Sequence, residues 1–101
     1  MKAAARAFRD ERRDQVDQRQ GEIADMQALL SDPTFRRFMS RVIEYAGVMR
    51  SAWSPNAEVH KKAGMQEVGF WIIEELNEAD PLAWVTMQHE QITAAKLKER
   101  A

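Results

Sequence analysis

Residues 69–73 read Gly69-Phe70-Trp71-Ile72-Ile73, and the polar run HKKAGMQE precedes them and the acidic run EELNEAD follows. On a helix, four bulky apolar residues in a row point in four directions about 100° apart. Such a helix has no wholly polar side, so its middle must be covered nearly all round. Whether this chain or another supplies that cover decides how the fold is completed.

Working outward, the piece from about Ala57 to Ala79 carries Met65, Val68, Ile72, Leu76 and Ala79 on its main stripe, with Phe70, Trp71 and Ile73 spilling onto neighbouring sides. Gly64 and Gly69 each weaken a helix by about 1 kcal/mol relative to alanine, which points to close approach of a neighbour at each. Upstream, PTFRRFMSRVIEYAGVMRSAW (33–53) has the most regular pattern in the chain. Phe35, Phe38, Met39, Val42, Tyr45, Ala46, Met49 and Trp53 recur at steps of three and four, which predicts one amphipathic core helix to Trp53. Downstream, a helix over about 81–98 is expected to pack Leu82, Val85 and Trp84 inward and to fade into a tail whose Lys96, Lys98 and Arg100 suit a helix C-terminus.

The three prolines punctuate these pieces. Asp32-Pro33 and Asp80-Pro81 each read as an N-cap followed by Pro at the first helical position. Ser54-Pro55-Asn56 reads as a connection. No strand pattern occurs. The expected fold is all-α, a small helical bundle or set of helical hairpins over residues 32–101, with residues 1–31 as a charged N-terminal helical arm. In that arm Val16 is the lone bulky apolar residue between Arg9 and Glu22, and helical spacings pair Asp10 with Arg13 and Asp14 with Gln18. Val16, Ile23, Met26 and Leu30 form a thin seam, so the arm is expected to anchor near 23–30 and project toward its start.

Composition excludes several chemistries. The 101 residues contain no cysteine, hence no disulfide, thiolate nucleophile or cysteine-held zinc. No apolar run is long enough to span a bilayer, and MKAAARAFRDERRD lacks the apolar core of a signal peptide, so synthesis in the cytoplasm is expected. The formal net charge is −1. Locally, Arg36, Arg37, Arg41 and Arg50 face only Glu44 over 33–53, whereas 54–80 holds six acids against Lys61 and Lys62. Charge separation of this kind favours contact within the fold or between copies.

His60 and His89 lack a second ligand at metal-binding spacing and read as surface imidazoles. Glu74, Glu75, Glu78 and Asp80 read as a solvated acidic side rather than a magnesium site, and Ser31, Ser40, Ser51 and Ser54 lack a nucleophile's context. No enzyme activity and no cofactor are expected. Arg6, Arg9, Arg12, Arg13 and Arg19 invite a nucleic-acid reading, but Asp10, Glu11, Asp14 and Asp17 interrupt the field, which favours a salt-bridged arm. Three tryptophans and six methionines in so short a chain are an excess of the surface that protein interfaces use.

Taken together, FRRFMSRVIEYAGVMRSAW, Gly64-Met65-Gln66-Glu67-Val68-Gly69 and the acid-Pro start at Asp80-Pro81 resemble a family of small tailed-bacteriophage proteins encoded among virion morphogenesis genes, beside portal and capsid genes. The similarity runs from about Pro33 to Glu90 and leaves the arm outside. In the glycine segment this chain has Gln66 and Glu67 where an arginine would be expected. The resemblance implies a non-enzymatic virion structural or assembly protein, at the portal or head-tail vertex or inside the head. Its implied partners are portal, capsid or head-tail proteins and copies of itself, with no membrane and with nucleic acid less favoured. The expected protein interface comprises Phe8, Val16, Ile23, Phe70, Trp71 and Ile73. The competing reading is a small helical DNA-binding or host-directed regulator whose contact side is Arg36, Arg37 and Arg41.

Overall fold

The computed structural model describes residues 2–100, so Met1, the first residue of the expected arm, lies outside the described residues, as does Ala101. Four helices follow in order: α1 (Lys2–Leu30), α2 (Pro33–Ala46), α3 (Glu58–Ala79) and α4 (Ala83–Arg100). The fold is all-α, with no strand among the described residues. Its principal extents are 68 × 39 × 17 Å, a thin and elongated body. The radius of gyration of 18.9 Å far exceeds the roughly 13 Å of a compact 100-residue domain, so the helices share one small junction rather than a broad core.

That junction is where all four helices meet. Ile43 of α2, Leu76 of α3 and Met87 of α4 are completely enclosed, and Leu30 of α1, Ala79 and Ala83 join them. Around this centre Ile23, Met26, Phe35, Met39, Val48, Ile72, Ile73 and Trp84 are half-buried. Burying each large side chain stabilises the fold by about 1.5–3 kcal/mol, so a few residues carry most of the tertiary stability.

The helix starts follow local chemistry. Asp32 is extended and its side chain accepts a hydrogen bond from Thr34 N at 2.8 Å, with Pro33 opening α2. At the second acid-proline pair the Asp80 side chain accepts from Leu82 N at 3.1 Å and its carbonyl from Ala83 N at 2.8 Å. Pro81 and Leu82 therefore occupy a turn, and α4 begins at Ala83 rather than at 81.

Several expectations are corrected. α2 ends at Ala46, not Trp53, because Gly47 adopts the left-handed conformation (φ 78°) and donates its N–H to the Glu44 carbonyl at 3.0 Å. The expected α2 stripe is also rotated: Ile43 is enclosed, while Phe38 and Tyr45 are exposed, as is Trp53 beyond the helix. Val68, Leu82 and Val85 face solvent, and the inward positions beside them belong to Gly69, Ala83 and Met87. The close-approach reading holds for Gly69 alone. A Cβ there would lie 2.5 Å from Val48 Cγ1 and 2.8 Å from Ala46 Cβ, whereas one at Gly64 would meet open space.

Candidate interaction surface

The GFWII stretch divides between two environments. Gly69 is buried against the end of α2, and Ile72 and Ile73 pack on the core. Phe70 and Trp71 point out, 50% and 59% exposed, and Val68 is equally bare. Glu67, Trp71, Glu74 and Glu78 follow one another at steps of four, three and four, so they form one outward stripe in which an indole sits between carboxylates.

The connection after α2 is held onto α3 by a residue whose role composition did not announce. Gln66 donates through Nε2 to the carbonyls of Gly47 (2.8 Å) and Arg50 (2.5 Å), so the polar position in the glycine segment ties down the turn. Arg50 in turn donates to the Glu44 carbonyl at 2.5 Å. Between this turn, α2 and α4 lies an open cleft of about 240 Å³, bordered by Ile43, Val48, Met49, Trp84 and Ile92. Ser40 also borders it, and its hydroxyl is buried with no hydrogen-bond partner among the described residues.

The arm has two regimes. Near its C-terminal end Ile23, Met26 and Leu30 enter the junction, and Gln27 donates to the Ala79 carbonyl at 3.0 Å. Arg19, within the apolar seam, pairs with Glu75 at 2.7 Å and with Glu78, and more loosely with Glu22 at 3.7 Å. The hydrogen bond from Arg19 holds the Glu78 carboxyl below its ordinary value, and the same bond, followed by that to Glu75, raises the Arg19 guanidinium. Toward the N-terminus Val16 and Phe8 are 51% and 64% exposed, and the guanidinium of Arg12 lies 5.7 Å from the centre of the Phe8 ring, with Glu11 and Gln15 beside it.

Of the residues expected at a protein interface, Phe8, Val16, Phe70 and Trp71 are exposed, whereas Ile23 and Ile73 form the margin of this chain's own core. Of those expected to touch nucleic acid, Arg37 and Arg41 are exposed and Arg36 is set apart from them. Arg36 is drawn inward, donating to Glu90 at 2.9 and 3.0 Å and to the Leu30 carbonyl at 2.7 Å, so it knits α1, α2 and α4. Its guanidinium is raised chiefly by the hydrogen bonding to Glu90. Arg37 donates to the Thr34 hydroxyl at 3.1 Å, and Arg41 lies 5.7 Å over the exposed Phe38 ring. The Arg19 contact was missed, although a base at helical spacing within a run of seam residues is a readable signal.

No family model, curated protein or solved structure matches this chain. No helix among the described residues is long and apolar enough to cross a membrane.

Proposed function

We propose that this chain is a non-enzymatic structural or assembly protein of a tailed-phage virion, at the portal or head-tail vertex or inside the head, acting through helical protein contacts. The supporting observation is the distribution of apolar surface. Among the described residues, exposed large hydrophobic side chains outnumber buried ones, and Phe8, Val16, Val68, Phe70 and Trp71 lie on helices already packed elsewhere along their length. Surfaces of this kind mark protein contacts, and aromatic residues dominate the energy of such contacts. The family resemblance over about Pro33 to Glu90 supplies the setting. The regulator reading is weaker, because Arg36 is engaged by Glu90.

Quantitative mass spectrometry of purified particles tests the proposal. The expected result is this chain at a fixed copy number per particle. Its absence from intact particles, together with filter-binding affinity for DNA that falls steeply with salt, overturns the proposal in favour of the regulator.

A further inference from the structure

We infer that the N-terminal half of α1 docks on the outward stripe of α3 in a second copy of this chain, setting Phe8, Arg12 and Val16 against Glu67, Trp71 and Glu74. This rests on the reading that the protein works through helix contacts, and it names the partner.

The inference begins with one seam. Phe8, Arg12, Val16, Arg19, Ile23, Met26 and Leu30 succeed one another at steps of four, four, three, four, three and four. They lie along a single side of α1, which is unbroken over its 29 residues. The last three enter this chain's core, and Arg19 meets the acids of its own α3. Phe8, Arg12 and Val16 continue the same side and are exposed, with no other helix packed on them. Phe8 is 11 residues from Arg19, about 16 Å along a straight helix, so the helix carries it away from the junction.

Charge and shape point to α3 of another copy. On α1, Asp10, Asp14 and Asp17 fall on the opposite side from Arg12, so the seam positions Phe8, Arg12 and Val16 themselves carry a single charge, that of Arg12, with Glu11 on the flank beside Phe8 and Arg9 on the other. From Ala63 to Ala79, α3 carries Glu67, Glu74, Glu75 and Glu78 and no base. The arm's order is apolar, base, apolar; the stripe's order is acid, indole, acid. An Arg12 placed over Trp71 lies between two carboxylates two turns apart, while Phe8 and Val16 cover the indole's flanks. In the contact between Arg19 and the pair Glu75 and Glu78, a base of the same seam already meets α3 carboxylates within one chain. Charge complementarity of this kind fixes partner and register.

Size-exclusion chromatography with light scattering, at several protein and salt concentrations, tests this on the full chain. The expected species is heavier than the 11.7 kDa monomer. Arg12→Glu is expected to raise the dissociation constant about tenfold or more, and Glu67→Arg with Glu74→Arg to do the same. All three changes together restore association to within about threefold of the parent. Phe8→Ala weakens association while leaving helical circular dichroism unchanged. A chain that is monomeric throughout overturns the inference. So does association indifferent to the α3 changes, which signifies arm-to-arm pairing, or a monomer whose arm retains DNA until Arg12→Glu is introduced. Oligomers formed by a protein missing from particles refute the virion reading alone, whereas a virion component that is monomeric when purified refutes only this docking.

Discussion

The two sides of α3 are built from the same kinds of residue and have opposite fates. Inward lie Gly69, Ile72, Ile73, Leu76 and Ala79; outward lie Val68, Phe70 and Trp71 among glutamates. Hydrophobicity alone does not separate the two sets. What separates them is how near a neighbour comes. The end of α2 approaches α3 so closely that only a hydrogen fits at Gly69, and the start of α4 places Ala83 rather than Leu82 or Val85 in the junction. Small side chains let three helices converge on Leu76, and the large ones between them are left for solvent or for another chain.

The sharpest way to break this comparison is to truncate one residue on each side. Leu76 is fully enclosed, and Leu76→Ala removes its burial and leaves a cavity, an expected loss of about 2–5 kcal/mol. Against the few kcal/mol that typically hold a small domain, this unfolds a large share of the population. Trp71→Ala deletes a larger side chain, yet its expected effect on unfolding is within about 0.5 kcal/mol because the indole is mostly in water. Urea denaturation at low protein concentration, where copies are dissociated, measures both. Equal losses would mean that Trp71 is part of the core.

The next contrast uses the glycines, five residues apart on the same helix. Gly69→Ala must displace Val48, which can rotate, and Ala46, which is fixed to the backbone of α2. Overpacking costs about 1–3 kcal/mol and the gain in helix propensity offsets about 1, so a net loss of about 1–2 kcal/mol is expected. Gly64→Ala meets nothing and is expected to stabilise by about 0.4–1 kcal/mol. Thermal melts of the two variants should therefore move in opposite directions.

These contrasts also explain what was legible. The all-α class and the Asp32-Pro33 start could be read because capping and proline geometry are local, and the close approach at Gly69 because glycine is costly in mid-helix. The end of α2 was misread since Met49 and Trp53 continue its period beyond Ala46, while the stop depends on a left-handed Gly47 held by Gln66 from a distant helix. Val68, Leu82 and Val85 were placed inside by their hydrophobicity, and the packing distance that excludes them is a tertiary quantity. For the interaction surface, the overflow of GFWII marked Phe70 and Trp71, but the conversion of Ile23 and Ile73 into core margin required knowing where α1 docks. Arg36 read as a surface base because Glu90 is 54 residues away.

The smallest effect lies at the border between the two sides, where α1 grips α3. Glu78 is held below its ordinary carboxyl value by the hydrogen bond from Arg19, so the folded state binds its proton less readily than the unfolded chain does. The stabilisation is whole above the unfolded value of 4.5 and is lost as pH falls through the lower, folded value. Glu75 and Glu22 also face Arg19, at 2.7 and 3.7 Å. Hydrogen exchange over residues 12–22, compared between pH 6 and pH 3, should show weakened protection at the lower pH beyond the intrinsic change in rate. Glu78→Gln should shrink that difference, because its neutral side chain has no proton to gain. The C-terminal turns of α1 should respond least, since Met26 and Leu30 are held by burial, which protonating Glu78 leaves in place. A pH response as large at Leu30 as at Arg19 would mean that α1 detaches as one unit and that its two halves are not held by different forces.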